Sequence, residues 1–187
     1  MFLKDYYPKL NKKYNKVKFD GITFDSREVK KGYIFFAIKG NNVDGNKFVK
    51  EAIKKGSKII ISENIKERYE NKILYLKNKN PRKVIAEIAS KINYIRPNNL
   101  IAVTGTNGKS SIANFYYQIL KLNKKKVSSI GTLGISGINY KKNVSNTTFD
   151  PIQINEILST LKKKKINNVI LEASSHGLKQ HRLHGLK

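Results

Sequence analysis

The sequence has 187 residues, 39% of them apolar and 10% aromatic, which is enough for a packed core and points to two small domains. The absence of cysteine excludes a disulfide framework and thiolate metal sites, and fits a reducing compartment. The formal charge of +25 invites a nucleic-acid reading, but arginine occurs only at Arg27, Arg68, Arg82, Arg96 and Arg182, and lysine is spread over every segment rather than gathered on one face.

Nucleic acid is therefore not the expected partner, although a basic nucleic-acid-binding module stands as the alternative. The opening MFLKDYYPKLNKKYNK lacks the apolar core and cleavage site of a signal peptide. No segment approaches the ~20 apolar residues that cross a bilayer. A cytoplasmic protein with no membrane partner is expected.

Around Lys16 to Asp25 the chain alternates enough for strands, and GYIFFAIKG, Gly32 to Gly40, reads as a buried strand between turn formers. Phe48, Ala52 and Ile53 then share a helical face, Gly56 can close that helix in a left-handed conformation, and Lys58 to Ser62 reads as a strand. Ile73 to Lys77 is another strand. In NPRKVIAEIASKINY, Asn80 caps a helix, Pro81 takes its first position, and Val84, Ile88 and Ile92 recur at helical spacing. The pattern breaks around Arg96-Pro97, which divides a first domain, 1–96, from a second, 97–187.

The second piece reads strand (Leu100 to Thr104), loop, helix (Lys109 to Leu122), strand (Val127 to Ile130), a polar excursion, helix and strand (Val169 to Ala173). Asp150 and Pro151 open the later helix, and Ile154, Ile157, Leu158 and Leu161 line one face of it. Alternation at these lengths implies an α/β fold with parallel sheets. The lysine runs at 124–126 and 162–165 fall at helix ends, where the dipole favours positive charge, and need no further role.

Between strand and helix lies GTNGKSS. Its fit to the phosphate-loop pattern GxxxxGK[ST] is incomplete, because Val103 stands where the first glycine belongs. The chemistry is nonetheless present. Gly105 and Gly108 let backbone N–H groups approach an anion at a helix N-terminus, Lys109 can reach β- and γ-phosphates, and the Ser110 hydroxyl can ligate Mg²⁺. Glu172 follows an apolar strand at the edge where ligands of α/β sheets collect, and suits a second metal anchor. Ser174 to Arg182, SSHGLKQHR, could hold an anionic, hydrogen-bonding substrate, while the spacing of His176, His181 and His184 matches no strong zinc pattern. The loop SNTTFDP would suit a sugar, phosphate or uracil partner.

Taken in order, TGTNGKSS, SNTTFDP and LEASSHGLKQHRL resemble the Mur ligases, and among them the MurE type that adds the third stem-peptide residue of peptidoglycan. Upstream, FDSREVKKGYIFFAIKGNNVDGNKF is similar to that family's N-terminal uridine-nucleotide domain. The resemblance implies a small uridine-nucleotide-binding α/β domain followed by a truncated central domain with a phosphate loop. It also implies an ATP- and Mg²⁺-dependent monomeric ligase joining meso-diaminopimelate to UDP-MurNAc-L-Ala-D-Glu through an acyl phosphate. The family's ATP contacts fall on Gly105, Thr106, Asn107, Gly108, Lys109, Ser110 and Ser111, and its magnesium glutamate on Glu172, with Lys109 and Glu172 catalytic. Its UDP-sugar and peptide contacts fall on Phe24, Ser26, Asn41, Asn42, Val43, Asn146, Thr147, Thr148, Ser174, Gln180 and Arg182.

Two rivals share the loop: a folylpolyglutamate-synthetase-like ligase, against which the DSR segment counts, and a plain ATPase. The family's later histidine and aspartate motif, its carbamylated lysine and its amino-acid-binding C-terminal domain are not found within these 187 residues, so an incomplete chain is expected. The purified chain is then predicted to show no substrate-dependent ADP release in a coupled assay, and measurable release would refute this.

Overall fold

The computed structural model describes residues 1–7, 10–40, 43–138 and 147–186. The chain divides into two compact units, Met1–Ile88 and Ala89–Lys187. In the first unit, α1 (Leu3–Tyr6) precedes β1 (Gly21–Thr23), β2 (Tyr33–Ala37), α2 (Val49–Lys54), β3 (Ile59–Ser62), β4 (Arg68–Glu70) and β5 (Ile73–Lys77). The sheet order is β1-β2-β3-β5-β4, parallel throughout except for β4, which pairs antiparallel with β5.

Period-two alternation explains how this sheet is buried on both faces. Phe35, Ala37 and Ile60 form one core with Val29 and Ala52, against which Ile73 and Tyr75 pack. Their sequence neighbours Ile34, Phe36, Ile59, Ile61, Leu74 and Leu76 turn to the opposite face and are equally buried. Gly56 closes α2 as expected, with φ at +98° and its N–H donating to the Ile53 carbonyl.

The strand β4 went unpredicted because its three residues are all exposed and carry no apolar alternation. It is held from its flank instead: Arg68 lies 3.8 Å from the Tyr75 ring centre and bonds Glu70 at 2.9 Å. Charged residues on such an edge discourage pairing with other chains. The four-residue α1, with only Leu3 buried, was equally invisible.

Helix α3 (Pro81–Ile92) spans the division between the units. The break that follows is tied down: Arg96 donates to the carbonyls of Ser90 and Gly185 and to Asn155 Oδ1. The second unit continues with β6 (Asn99–Val103), α4 (Lys109–Leu122), β7 (Val127–Gly131), β8 (Gly134–Ile135), α5 (Pro151–Lys163), β9 (Asn168–Glu172) and α6 (Ser175–Lys179). Its sheet order is β6-β9-β7-β8, with β6, β9 and β7 parallel and β8 a short antiparallel edge.

Asp150 caps α5 by accepting from the N–H groups of Ile152 and Gln153. Ile154, Ile157, Leu158 and Leu161 bury against Val169, Leu171 and Ala173. Among the described residues no helix is long and apolar enough to cross a membrane.

Both lysine runs close helices with a lysine in the left-handed region, Lys124 at φ +56° and Lys165 at φ +61°. After Lys165, Ile166 N–H returns to the Leu161 carbonyl, a closure that ordinarily uses glycine. Substituting Lys165→Gly removes the Cβ strain and is expected to stabilise the fold by about 0.5–1 kcal/mol, read as a higher urea midpoint.

Candidate functional site

Strand β6 ends at Val103, and the next helical residue is Lys109, so Thr104 to Gly108 form a short connection at the carboxyl edge of the sheet. Gly108 stands at the N-cap of α4 with φ at +80°, and nothing lies near where its Cβ would be; the backbone conformation, not space, calls for glycine. A consequence follows for α4. Where Asp150 caps α5 and Ser174 caps α6, no side chain caps α4. The N-terminal N–H groups and the dipole of a fourteen-residue helix are thus left for an anion. Gly105 to Gly108 are all exposed. The Lys109 ammonium is folded over this connection and donates to the carbonyls of Gly105 at 2.8 Å and Thr106 at 3.2 Å.

Glu172, the last residue of β9, is not the solvated acid its strand-end position suggests, for it is only 4% exposed. A buried carboxylate needs donors. Ser110 Oγ donates to Oε2 at 3.0 Å, Thr132 Oγ1 donates to the same oxygen at 3.0 Å, and Thr132 N–H donates to Oε1 at 3.2 Å. The approach depends on Gly131: a Cβ there would fall 2.2 Å from Oε1. The Ser110 hydroxyl and the Glu172 carboxylate thus offer adjacent hard oxygen donors, the set that suits Mg²⁺ with water and phosphate oxygens completing its shell. Gly131 and Thr132 were missed from sequence, although they follow β7 at the same carboxyl edge as Glu172 follows β9.

The second group of candidates is joined to the first. Thr132 Oγ1 also lies 3.1 Å from Thr147 Oγ1. Thr148 is 2% exposed; its hydroxyl donates to the Glu172 carbonyl at 3.0 Å and accepts from Ser174 N–H at 2.9 Å. Ser174 Oγ in turn caps α6 by accepting from Gly177 N–H. Gly177 must lack a side chain, since a Cβ would meet Thr148 at 2.7 Å. Arg182 Nη1 donates to the Thr148 carbonyl at 2.6 Å, while its Nε and Nη2 both donate to Gln180 Oε1. Burial draws the Arg182 guanidinium below its ordinary pKa, with Asp150 acting the other way. Gln180 Nε2 reaches His176 Nε2 at 2.7 Å. Ser110, Glu172, Thr147, Thr148, Ser174, Gln180 and Arg182 are therefore one hydrogen-bonded network around the end of β9.

The remaining candidates lie in the first unit. Phe24 and Val43 are exposed. Ser26 is buried and its hydroxyl donates to Glu51 Oε2 at 2.9 Å, while Lys55 donates to its carbonyl. Asp25 caps that turn by accepting from Arg27 N–H, and hydrogen bonds from the Arg27 guanidinium hold its carboxyl below the usual range. Gly40 N–H donates to the Val43 carbonyl at 2.8 Å. Asn41, Asn42 and Asn146 lie outside the described residues.

Comparison with known proteins agrees with this architecture. The family model "Mur ligase family, catalytic domain" matches residues 18–93, and "Mur ligase middle domain" matches residues 103–187. Similar relatives include the UDP-N-acetylmuramoyl-L-alanyl-D-glutamate--2,6-diaminopimelate ligase of Rickettsia prowazekii (strain Madrid E), 38% identical over 93% of this chain and 37% of its own length. The enzyme of the same name from Wigglesworthia glossinidia brevipalpis is 36% identical over 96% of this chain and 38% of its own. A solved structure of a UDP-N-acetylmuramoyl-L-alanyl-D-glutamate--2,6-diaminopimelate ligase superposes with a TM-score of 0.76 at 27% identity, covering 99% of this chain and 38% of that one. MurF ligase from Thermotoga maritima, solved with ADP, shares the fold at a TM-score of 0.53 and 23% identity, over 85% of this chain and 32% of that one. The chain spans a little over a third of the length of the relatives it matches. With both family models matched in order along most of its length, the chain belongs to the Mur ligase family and carries its N-terminal and middle domains.

Proposed function

We propose that this chain forms the nucleotide- and precursor-binding part of an ATP-dependent amide ligase of peptidoglycan synthesis, one that joins meso-diaminopimelate to UDP-MurNAc-L-Ala-D-Glu. The observation that carries this is the 3.0 Å contact of Ser110 with the buried Glu172 carboxylate, beside an uncapped helix start. The names of the relatives supply the substrate class.

ATP supplies the phosphoryl group that activates the substrate carboxylate as an acyl phosphate, and Mg²⁺ neutralises phosphate charge. Everything else falls to the protein. Backbone N–H groups of Gly105 to Ser111 would hold the phosphates, and the Lys109 ammonium, now on the Gly105 and Thr106 carbonyls, would supply positive charge to them. Ser110 and Glu172 would hold the metal, with Thr132 fixing the carboxylate's orientation. Arg182, braced by Gln180, and the hydroxyls of Thr147 and Ser174 are suited to an anionic substrate on the other side of Glu172. Phosphoryl transfer between anions asks for neutralisation and alignment rather than a nucleophilic side chain.

Calorimetric titration with Mg·ATP tests the reading. Lys109→Met is expected to weaken binding about tenfold to a hundredfold, the loss of a charge-assisted bond, without lowering the melting temperature. Equal affinity in the variant, or steep salt-dependent binding of arbitrary DNA with none for UDP-MurNAc-dipeptide, would overturn it. Gly131→Ala displaces Glu172 and is expected to abolish the Mg²⁺ dependence of nucleotide binding while leaving metal-free binding intact, measured by titration with and without chelator.

A further inference from the structure

One hydroxyl beside Glu172 has more acceptors than protons. Thr132 Oγ1 is in donating geometry toward Glu172 Oε2 at 3.0 Å and toward Thr147 Oγ1 at 3.1 Å. A threonine hydroxyl carries a single proton, so the two bonds are alternatives. The oxygen itself is held in place. Thr132 opens the two-residue turn between β7 and β8, where Gly131 pairs with Gly134 and Gly134 takes φ +94°, and its N–H is spent on Glu172 Oε1 at 3.2 Å. What can change is the direction of the proton. Thr148 shows the contrast: its hydroxyl is buried and donates to the Glu172 main-chain carbonyl, whose charge does not vary.

The charge at Glu172 decides between the two acceptors. A carboxylate outbids a neutral hydroxyl, so beside bare Glu172 the Thr132 proton turns to Oε2 and Thr147 receives nothing from it. Positive charge held by Ser110 Oγ and the carboxylate reverses that ranking, because the Oε2 lone pairs and charge are then committed. Thr132 rotates its hydroxyl and donates to Thr147 instead, with no proton transferred between groups. Hydroxyls bonded in series polarise one another, so Thr147 becomes a stronger donor to an anionic oxygen on its far side. Thr132 is exposed and Thr147 half-buried, which leaves this end of the chain of bonds open to a ligand. We propose that Thr132 is a positioning residue whose one hydroxyl proton couples the two ligand sites: cation and nucleotide at Ser110 and Glu172 tighten the hold of Thr147 on an anionic oxygen of the second substrate, and the reverse. The proposal rests on the nucleotide and precursor reading given above and adds to it the means by which one site senses the other.

The test is calorimetric titration of UDP-MurNAc-L-Ala-D-Glu into the chain with and without saturating Mg²⁺ and a non-hydrolysable ATP analogue. The analogue is expected to tighten precursor binding about fivefold, and by linkage the precursor tightens the analogue by the same factor. Chelation of Mg²⁺ removes the effect. Thr132→Val keeps the N–H on Oε1 and loses only the hydroxyl, and the ratio of precursor affinities with and without the analogue should fall to about one; Thr147→Val should do the same, while Thr132→Ser keeps the ratio. The ratio is taken within each variant, so a merely structural role for Thr132, which would weaken both affinities together, leaves it unchanged. Coupling that persists in Thr132→Val, or that Thr132→Ser fails to keep, overturns the proposal. Binding of both ligands to the parent chain without coupling overturns it alone, whereas failure to bind either ligand overturns the reading of the site and the proposal with it.

Discussion

A charge placed out of water at the end of β9 organises the second unit. Glu172 can be buried only if donors converge on its carboxylate, and those donors come from two separate stretches of chain. Ser110 arrives from the start of α4 and Thr132 from the turn after β7, while Thr148 and Ser174 fix the backbone around the carboxylate. Sheet order makes this convergence available. With β9 between β6 and β7, the connections that follow β6 and β7 flank the residue that ends β9. Two glycines then permit the close approaches, Gly131 against the carboxylate and Gly177 against Thr148. On the proposed reading, a carboxylate held in this way would be preorganised for a cation.

Helices α4, α5 and α6 show how one local rule serves opposite ends. Asp150 and Ser174 satisfy the first N–H groups of α5 and α6, which makes those helices structural pieces with closed ends. Gly108 withholds the same service from α4. An uncapped helix start is a small loss of stability by itself, and it is tolerated where the vacancy faces a ligand.

What could be read from sequence was whatever is encoded locally. The caps of α3 and α5, the glycine closing α2 and the short apolar runs of β2 and β3 all depend on residues within a few positions of one another, and each was legible. The strand β4 was not, because its three exposed residues are fixed by Tyr75 and by an ion pair rather than by an apolar rhythm. The candidate site divides along the same line. Gly105 to Ser111 form a contiguous motif, whereas the burial of Glu172 depends on Gly131 and Thr132, some forty residues away in the chain and recognisable as partners only once the sheet order is known. Ser174 and Thr148 were legible as polar candidates. That one caps α6 and the other braces β9 is a property of packing, which no spacing rule contains.

The posture of Lys109 has a chemical corollary. Its ammonium already rests on two backbone carbonyls, so an entering anion must outcompete neutral dipoles before it gains the cation. A halide or a lone carboxylate offers little advantage over that pair, whereas adjacent phosphoryl oxygens carrying several formal charges offer a great deal. On the proposed nucleotide reading, the mouth of the loop would discriminate by charge density, upstream of any contact with a base or a sugar.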